Sequence, residues 1–135
     1  MKAPKRNLTT KRHFELFKKE AELWLRRFGL TDWSIEFRWQ DEEEKGQSRA
    51  WCRYNSYQKL GTISLTRDWS GDQVTDQKVK VCAIHEVSHL LFDPLELIAE
   101  LRTFDKDDLA RETHGLIRRF ENLFYGPESP TFKKV

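Results

Sequence analysis

Apolar residues recur with helical spacing near the N-terminus and then alternate strictly with polar ones. The helical pattern runs over about residues 10–28, and Gly29 supplies a C-terminal stop. Residues 33–40 alternate between apolar and polar side chains, which is typical of a half-buried strand. Two further strands are predicted over residues 50–54 and 61–66. The first half of the chain is therefore expected to be one helix followed by three strands.

Helical spacing returns after the third strand. We predict a helix over residues 76–92, and residues 93–96, which read DPLE, are typical of a capping box that begins a short helix ending near residue 101. A last helix is predicted over residues 106–125, closed by Gly126. This order predicts an α+β domain with an N-terminal helix, a three-stranded, mainly antiparallel sheet and C-terminal helices.

Length and composition limit the class of protein. A chain of 135 residues is expected to form a single domain, with a basic arm over residues 1–9 and a tail over residues 127–135 that we expect to be mobile. No stretch approaches the roughly 20 apolar residues of a membrane span, and the N-terminus lacks the apolar run of a signal peptide. We therefore expect a monomeric, cytoplasmic protein without membrane contact, in which Cys52 and Cys82 are reduced core residues.

The net charge of +2 is unevenly distributed. Residues 1–28 contain nine Lys and Arg against three Glu, which gives +6 and leaves −4 for the remaining chain. A basic arm of this kind can bind nucleic acid or acidic partners. The alternative is a solvated helix face with a loose tail.

Residues 85–89 read HEVSH, two histidines four positions apart with a glutamate after the first. On a helix, positions i and i+4 lie on the same face, so His85 and His89 can direct two imidazole nitrogens at one metal ion. Glu86 is turned by about 100° from His85 and is better placed to contact a water than the ion. This is the HExxH arrangement of zinc hydrolases, and it predicts two zinc ligands with Glu86 as the general base.

The remainder of this helix is apolar on nearly every side, which predicts that the helix is buried. Two buried imidazoles and a carboxylate are costly to remove from water unless they have partners. One zinc ion per chain would supply those partners, and ordinary hydrogen bonds are the alternative. The apolar residues in question are Val79, Ala83, Ile84, Val87, Leu90 and Leu91.

A catalytic zinc ion needs a third protein ligand and keeps its fourth position for water. With Leu109 taken as 0°, the apolar stripe of the last helix spans about −40° to +80°. Glu112 lies at about −60°, beside the stripe, whereas His114 lies near 140° and Glu121 near 120°. We therefore expect Glu112 to face the motif helix and His114 to point away from it.

The segment HEVSHLLF, followed by LARETHGLIRRFENLF, resembles the minimal gluzincins and the small SprT-like and phage-encoded metallopeptidases. The resemblance covers roughly residues 30–125. It implies a zincin-like single domain in which His85, His89 and Glu112 bind zinc and Glu86 acts as the base.

The same resemblance implies that a strand above the cleft binds an extended substrate, a role that would fall to Ala50, Trp51 and Cys52. SprT-like members use a third histidine closer to the motif, which this sequence lacks. A protease of this type also stabilises the oxyanion with a Tyr, His or Arg near the zinc. The sequence offers four candidates and does not choose between them: His114, Tyr54, Tyr57 and Tyr125.

These patterns together favour a zinc-dependent metallopeptidase that acts on a peptide or protein. Two alternatives remain open. One is a zinc-containing module that binds nucleic acid or protein through the basic arm, with little or no turnover. The other is a zinc hydrolase that acts on small amides or esters.

Overall fold

The computed structural model describes residues 6–41, 48–101 and 105–125. These residues form three helices and three strands, an α+β arrangement as the sequence predicts. In chain order the elements are α1 (Lys11–Arg27), β1 (Ser34–Trp39), β2 (Ala50–Asn55), β3 (Leu60–Leu65), α2 (Asp76–Leu101) and α3 (Lys106–Tyr125). Among the described residues, no helix combines the length and the apolar character that crossing a bilayer requires.

Helix α1 begins and ends where its local sequence predicts. Thr10 is the N-cap: its hydroxyl accepts from the backbone N–H of His13, and the His13 ring accepts from the Thr10 backbone N–H. After the helix, Gly29 has a φ of +68°, a conformation that favours glycine and ends the helix. The buried side of α1, formed by Phe17, Ala21 and Trp24, packs against α2.

The three strands form a mixed sheet in the order β1-β3-β2. Strand β3 lies in the centre, parallel to β1 and antiparallel to β2. The expectation of a mainly antiparallel sheet was therefore wrong for one of the two strand pairs. About ten residues link β1 to β2, which is long enough to leave a gap of one strand between them. Strand β3 then fills this gap and pairs with both.

One face of the sheet packs against the helices and forms the core with them. Alternate residues on each strand point to this side, as the period of two in a strand requires. The residues of the sheet that pack into the core are Ile35, Phe37, Trp39, Ala50, Cys52, Tyr54, Ile63 and Leu65. Both Cys52 and Cys82 are unpaired thiols in or beside this core, as expected.

Helix α2 continues without a break to Leu101, so the predicted start of a separate short helix at Pro94 was wrong. A proline inside a helix removes one backbone hydrogen bond and costs about 3 kcal/mol in an isolated helix. Here Asp93 is buried and accepts from the Ser56 hydroxyl at 2.6 Å, instead of capping a new helix. One turn later, Glu96 accepts from the Tyr54 hydroxyl at 3.1 Å. These two contacts with the β2 region hold α2 together on both sides of the proline.

Residues 7–9, which we expected to be part of a mobile arm, are hydrogen-bonded to the turn that follows β3. The backbone of Thr9 donates to Arg67 at 2.8 Å, and the backbone of Asn7 accepts from Trp69 at 2.8 Å. The side chain of Thr9 is buried, where its hydroxyl donates to the Thr66 carbonyl at 2.9 Å and accepts from the Trp39 indole at 2.8 Å. Residues 7–9 are therefore attached to the sheet and to the turn after it, while residues 1–5 and the predicted mobile tail lie outside the described residues.

Replacing Thr9 by Val should lower the free energy of unfolding by about 1–3 kcal/mol, since the Trp39 indole N–H and the Thr66 carbonyl would both lose a buried partner. Urea unfolding followed by tryptophan fluorescence measures this change. Thr9→Ser is the matched control, because it keeps the hydroxyl and should cost about 1 kcal/mol for the lost methyl group. Equal stability of the Val variant and the wild type would show that this hydroxyl contributes nothing.

Candidate metal centre

Helices α2 and α3 bring three of the four histidines of the chain together. His85 and His89 lie one turn apart on α2, and His114 lies on α3. The ring centroids are 5.2 Å apart for His85 and His89, 5.7 Å for His85 and His114, and 5.0 Å for His89 and His114. One potential ligand atom from each residue lies within 4.8 Å of the other two. The described residues contain no other group of three or more such side chains.

The His85 ring is oriented by a carboxylate on the facing helix. Its Nδ1 makes a very short hydrogen bond with Glu121 Oε1, in the partly buried space between α2 and α3. Burial lowers the pKa of His85, but the hydrogen bond to Glu121 and the charges of Glu86 and Glu121 outweigh it, so that the pKa lies above its ordinary value. Since Nδ1 is occupied, the Nε2 atom of His85 is the one left to meet a metal ion. Carboxylate partners of this kind fix the tautomer and orientation of metal-binding histidines.

The other two rings are neutral near pH 7. Burial and, secondly, the charges of the neighbouring His85 and His114 rings lower the pKa of His89 to about 4. The pKa of His114 is lowered by burial and by the charges of His85 and Arg118. A neutral imidazole has the lone pair that a metal requires, so both rings are in the protonation state that binds a cation.

These residues fit a metal ion of the kind that prefers nitrogen ligands. In a tetrahedral site, three imidazole nitrogens at 2.0–2.1 Å from zinc lie about 3.3 Å from one another. The ligand atoms lie within 4.8 Å of each other, so small rotations of the three rings would bring them to the spacing of a zinc site. Three histidines with an open fourth position are one of the known catalytic zinc sets. Imidazole also suits copper, iron and nickel, so the donor set by itself does not select zinc.

A cleft of about 320 Å³ opens beside His85, the one of the three histidines that lines it. Its residues come from the start of β2, from α2 and from α3: Ser48, Arg49, Ala50, Val81, Cys82, His85, Glu86, Arg118 and Glu121. A more open depression of about 590 Å³ lies on the sheet, lined by residues of all three strands. Because none of the three histidines lines that larger depression, the smaller cleft is the candidate site for chemistry.

Glu86 lines this cleft with only 5% of its surface exposed. Its charge acts on two neighbouring thiols: the pKa values of Cys52 and Cys82 are raised by burial and, secondly, by Glu86. A raised pKa keeps both thiols protonated, so neither is a thiolate ligand or a nucleophile near pH 7. The carboxylate is the only one of these three groups suited to accept a proton there.

The structure corrects the predicted orientation of α3. His114 was expected to point away from the motif helix, yet its ring contacts both His85 and His89. Thr113 and Ile117 are buried beside it, and Glu121 contacts His85. The buried face of α3 is therefore turned toward polar residues that the apolar stripe excluded. The side chain of Glu112, which we predicted as the third ligand, lies outside the described part of the chain.

Of the predicted substrate strand, Ala50 lines the cleft and Cys52 is packed into the core beneath it. Trp51 belongs to the opposite side of the sheet, where its indole donates to the Gln40 carbonyl at 3.1 Å and the Arg53 guanidinium lies 5.2 Å from its ring. The side chain of Trp51 therefore does not reach the histidines. A role of this strand in binding substrate through its backbone stays a prediction.

The tyrosines that were considered as oxyanion stabilisers have other surroundings. Tyr54 donates to Glu96, and burial raises its pKa. Tyr57 is 82% exposed. Tyr125 donates to Glu20 of α1 in a very short hydrogen bond. None of the three lines the cleft, whereas His114 contacts the two motif histidines directly.

Two cleft residues, Arg118 and Glu121, were not predicted as part of the site. A signal for them exists in the sequence: His114, Arg118 and Glu121 are spaced i, i+4 and i+7, which places three polar side chains on one side of a helix. A polar stripe beside an apolar one is usually a solvated surface, so the spacing has meaning only once α3 is known to pack against the histidines of α2.

Comparison of the chain with protein-family models, with curated proteins and with solved structures gives no match.

Proposed function

We propose that this protein is a zinc-dependent metallopeptidase, with His85, His89 and His114 as zinc ligands and Glu86 as the general base. The observation that carries the proposal is the convergence of three imidazoles from two helices, one of which, His85, lines an open cleft together with the buried Glu86. In the sequence, the glutamate directly follows the first ligand, as in other HExxH hydrolases.

A bound zinc ion would polarise a carbonyl oxygen and lower the pKa of a coordinated water to about 7. The residues of this chain would hold and orient the reactants. Glu86 lines the same cleft as His85, where its carboxylate can accept a proton from water and return it to the leaving amine. Glu121 would keep the His85 ring in the tautomer that presents Nε2 to the ion.

Strand β2 offers a surface on which an extended peptide could bind. It is an edge strand, since among the described residues it pairs only with β3. Its first residue, Ala50, lines the cleft that contains His85 and Glu86. A peptide that adds to this edge by backbone hydrogen bonds would pass over the proposed metal centre, which favours a peptide over a small amide as the substrate.

The direct test combines metal content with activity. We expect the purified protein to hold about one zinc ion per chain and to cleave casein, and chelation should abolish both the metal and the cleavage. Protein that purifies without metal, and takes up none at micromolar zinc, would contradict the proposal. Stoichiometric zinc without any turnover, together with DNA binding that weakens steeply with salt, would instead favour the interaction module.

A further inference from the structure

The cleft beside the histidines contains two arginines that differ in how their charge is compensated. Arg49 forms a very short ion pair with Asp72, and its guanidinium lies 5.7 Å from the Trp69 ring. Asp72 in turn accepts from Lys78 at 3.0 Å. The charge of Arg49 is therefore already used to hold the turn before α2 against the start of β2.

Arg118 has no such partner within the part of the chain that the structure describes. It is exposed, lines the cleft, and no described carboxylate lies within 4.0 Å of its guanidinium. Its side chain lines the same cleft as His85 and Glu86. Glu121, the nearest carboxylate on the same helix, is engaged with the His85 ring.

Arg118 is placed where it could contact a peptide bound in the cleft. Arg118 follows His114 by one helical turn on α3, and unlike His114 it lines the cleft. Ala50, at the start of β2, lines the same cleft. An extended peptide on the β2 edge would therefore have α3, with Arg118, as its other wall.

We propose that Arg118 binds a carboxylate of the substrate, so that the enzyme prefers peptides with a negative group close to the bond that is cleaved. This inference rests on the proposed peptidase function and specifies its substrate class. A guanidinium is suited to this role because its planar N–H groups can pair with both oxygens of a carboxylate. The carboxylate can come from an acidic side chain or from the free C-terminus of the peptide, and both sources have the same chemistry.

Binding is tested with the full chain loaded with zinc and carrying Glu86→Gln, so that peptides are not consumed. The probes are labelled peptides with blocked ends and one glutamate, placed at each position in turn, and the same peptides with glutamine. A third set carries glutamine and a free C-terminal carboxylate. We expect the protein to bind one acidic set about 10-fold more tightly than its neutral counterpart, as measured by fluorescence anisotropy. The set that shows the preference identifies the source of the carboxylate.

Arg118→Ala should remove this preference, whereas Arg118→Lys should keep part of it. Arg111→Ala is the matched control, because it removes the same charge from an exposed position of the same helix that does not line the cleft. Far-ultraviolet circular dichroism and zinc content verify that each variant is folded. The inference would be overturned if the protein with its native Arg118 showed no preference for acidic peptides. It would also be overturned if Arg118→Ala kept that preference.

The same peptides, given to the protein with its native Glu86, separate this inference from the proposed function. Cleavage without a charge preference would support the peptidase function and contradict the proposed role of Arg118. A charge preference in binding without cleavage of any peptide would contradict the peptidase and leave Arg118 as a carboxylate-binding residue only.

Discussion

Replacing His114 by Ala is expected to weaken zinc binding by about 100-fold or more. The reason is that the His114 ring contacts both His85 and His89, so its removal leaves two imidazoles where a stable catalytic site needs three protein ligands. Changes to groups that merely orient ligands cost 10–100-fold in affinity, and loss of a ligand should cost more. Competition with a zinc-binding dye measures the affinity, and circular dichroism verifies that the variant is folded.

Glu112→Ala is the matched control on the same helix. Helix α3 is unbroken from Lys106 to Tyr125, and two positions turn an α-helix by about 200°. We therefore do not expect residues 112 and 114 to bind the same ion. The Glu112 variant should therefore keep zinc affinity within a few-fold of the wild type. Zinc lost with Glu112→Ala and kept with His114→Ala would restore the glutamate ligand and contradict the three-histidine site.

The boundaries of most elements could be predicted from the sequence because local signals determine them. The predicted range 106–125 coincides with α3, and Asp105 caps this helix with a bond from the Asp107 backbone at 2.9 Å. No end of a predicted strand differs from the corresponding end of β1, β2 or β3 by more than one residue. Capping side chains, Gly29 and the alternation of apolar residues act over a few neighbouring positions, so they can be read without the fold.

The rotation of α3 could not be predicted in the same way. The predicted apolar stripe is confirmed for Ile117, which is buried, and for Phe124, which packs against the core. The described part of the buried face also includes Thr113 and the partly buried His114 and Glu121, however, and the stripe had excluded these two last residues. Hydrophobic periodicity places a helix correctly when burial of apolar surface is the main contribution to packing. At a site where polar groups from two helices pair with each other, those pairs also contribute to the packing energy. The orientation that the hydrophobic pattern predicts can then differ from the orientation in the fold.

The continuity of α2 is a second case in which tertiary contacts override a local signal. Asp93 followed by Pro94 has the features of a helix start, and both residues are found inside the helix. The decisive partner is Ser56, which lies 37 positions earlier and donates to Asp93. A contact of such separation depends on the sheet being formed, so no window of sequence around the proline contains it.

Glu86→Gln is expected to lower peptide hydrolysis by about 100-fold or more while zinc and fold are retained. The amide has nearly the same shape as the carboxylate but cannot take a proton from water, and Glu86 is not one of the three side chains that form the ligand cluster. Gln keeps the shape of this buried side chain and can still accept a hydrogen bond, so the fold should be retained. Initial rates on casein and zinc content, measured on the same preparations, give the result.

The control for this variant is Glu96→Gln, the same chemical change at another partly buried position of α2. Glu96 accepts from Tyr54 and does not line the cleft, so its replacement should leave the rate within a few-fold of the wild type. If Glu86→Gln instead loses zinc, Glu86 is a ligand and the division between three ligands and one base is wrong. If it keeps both zinc and the wild-type rate, proton transfer must depend on another group, and Glu86 serves only to fix the electrostatics around Cys52 and Cys82.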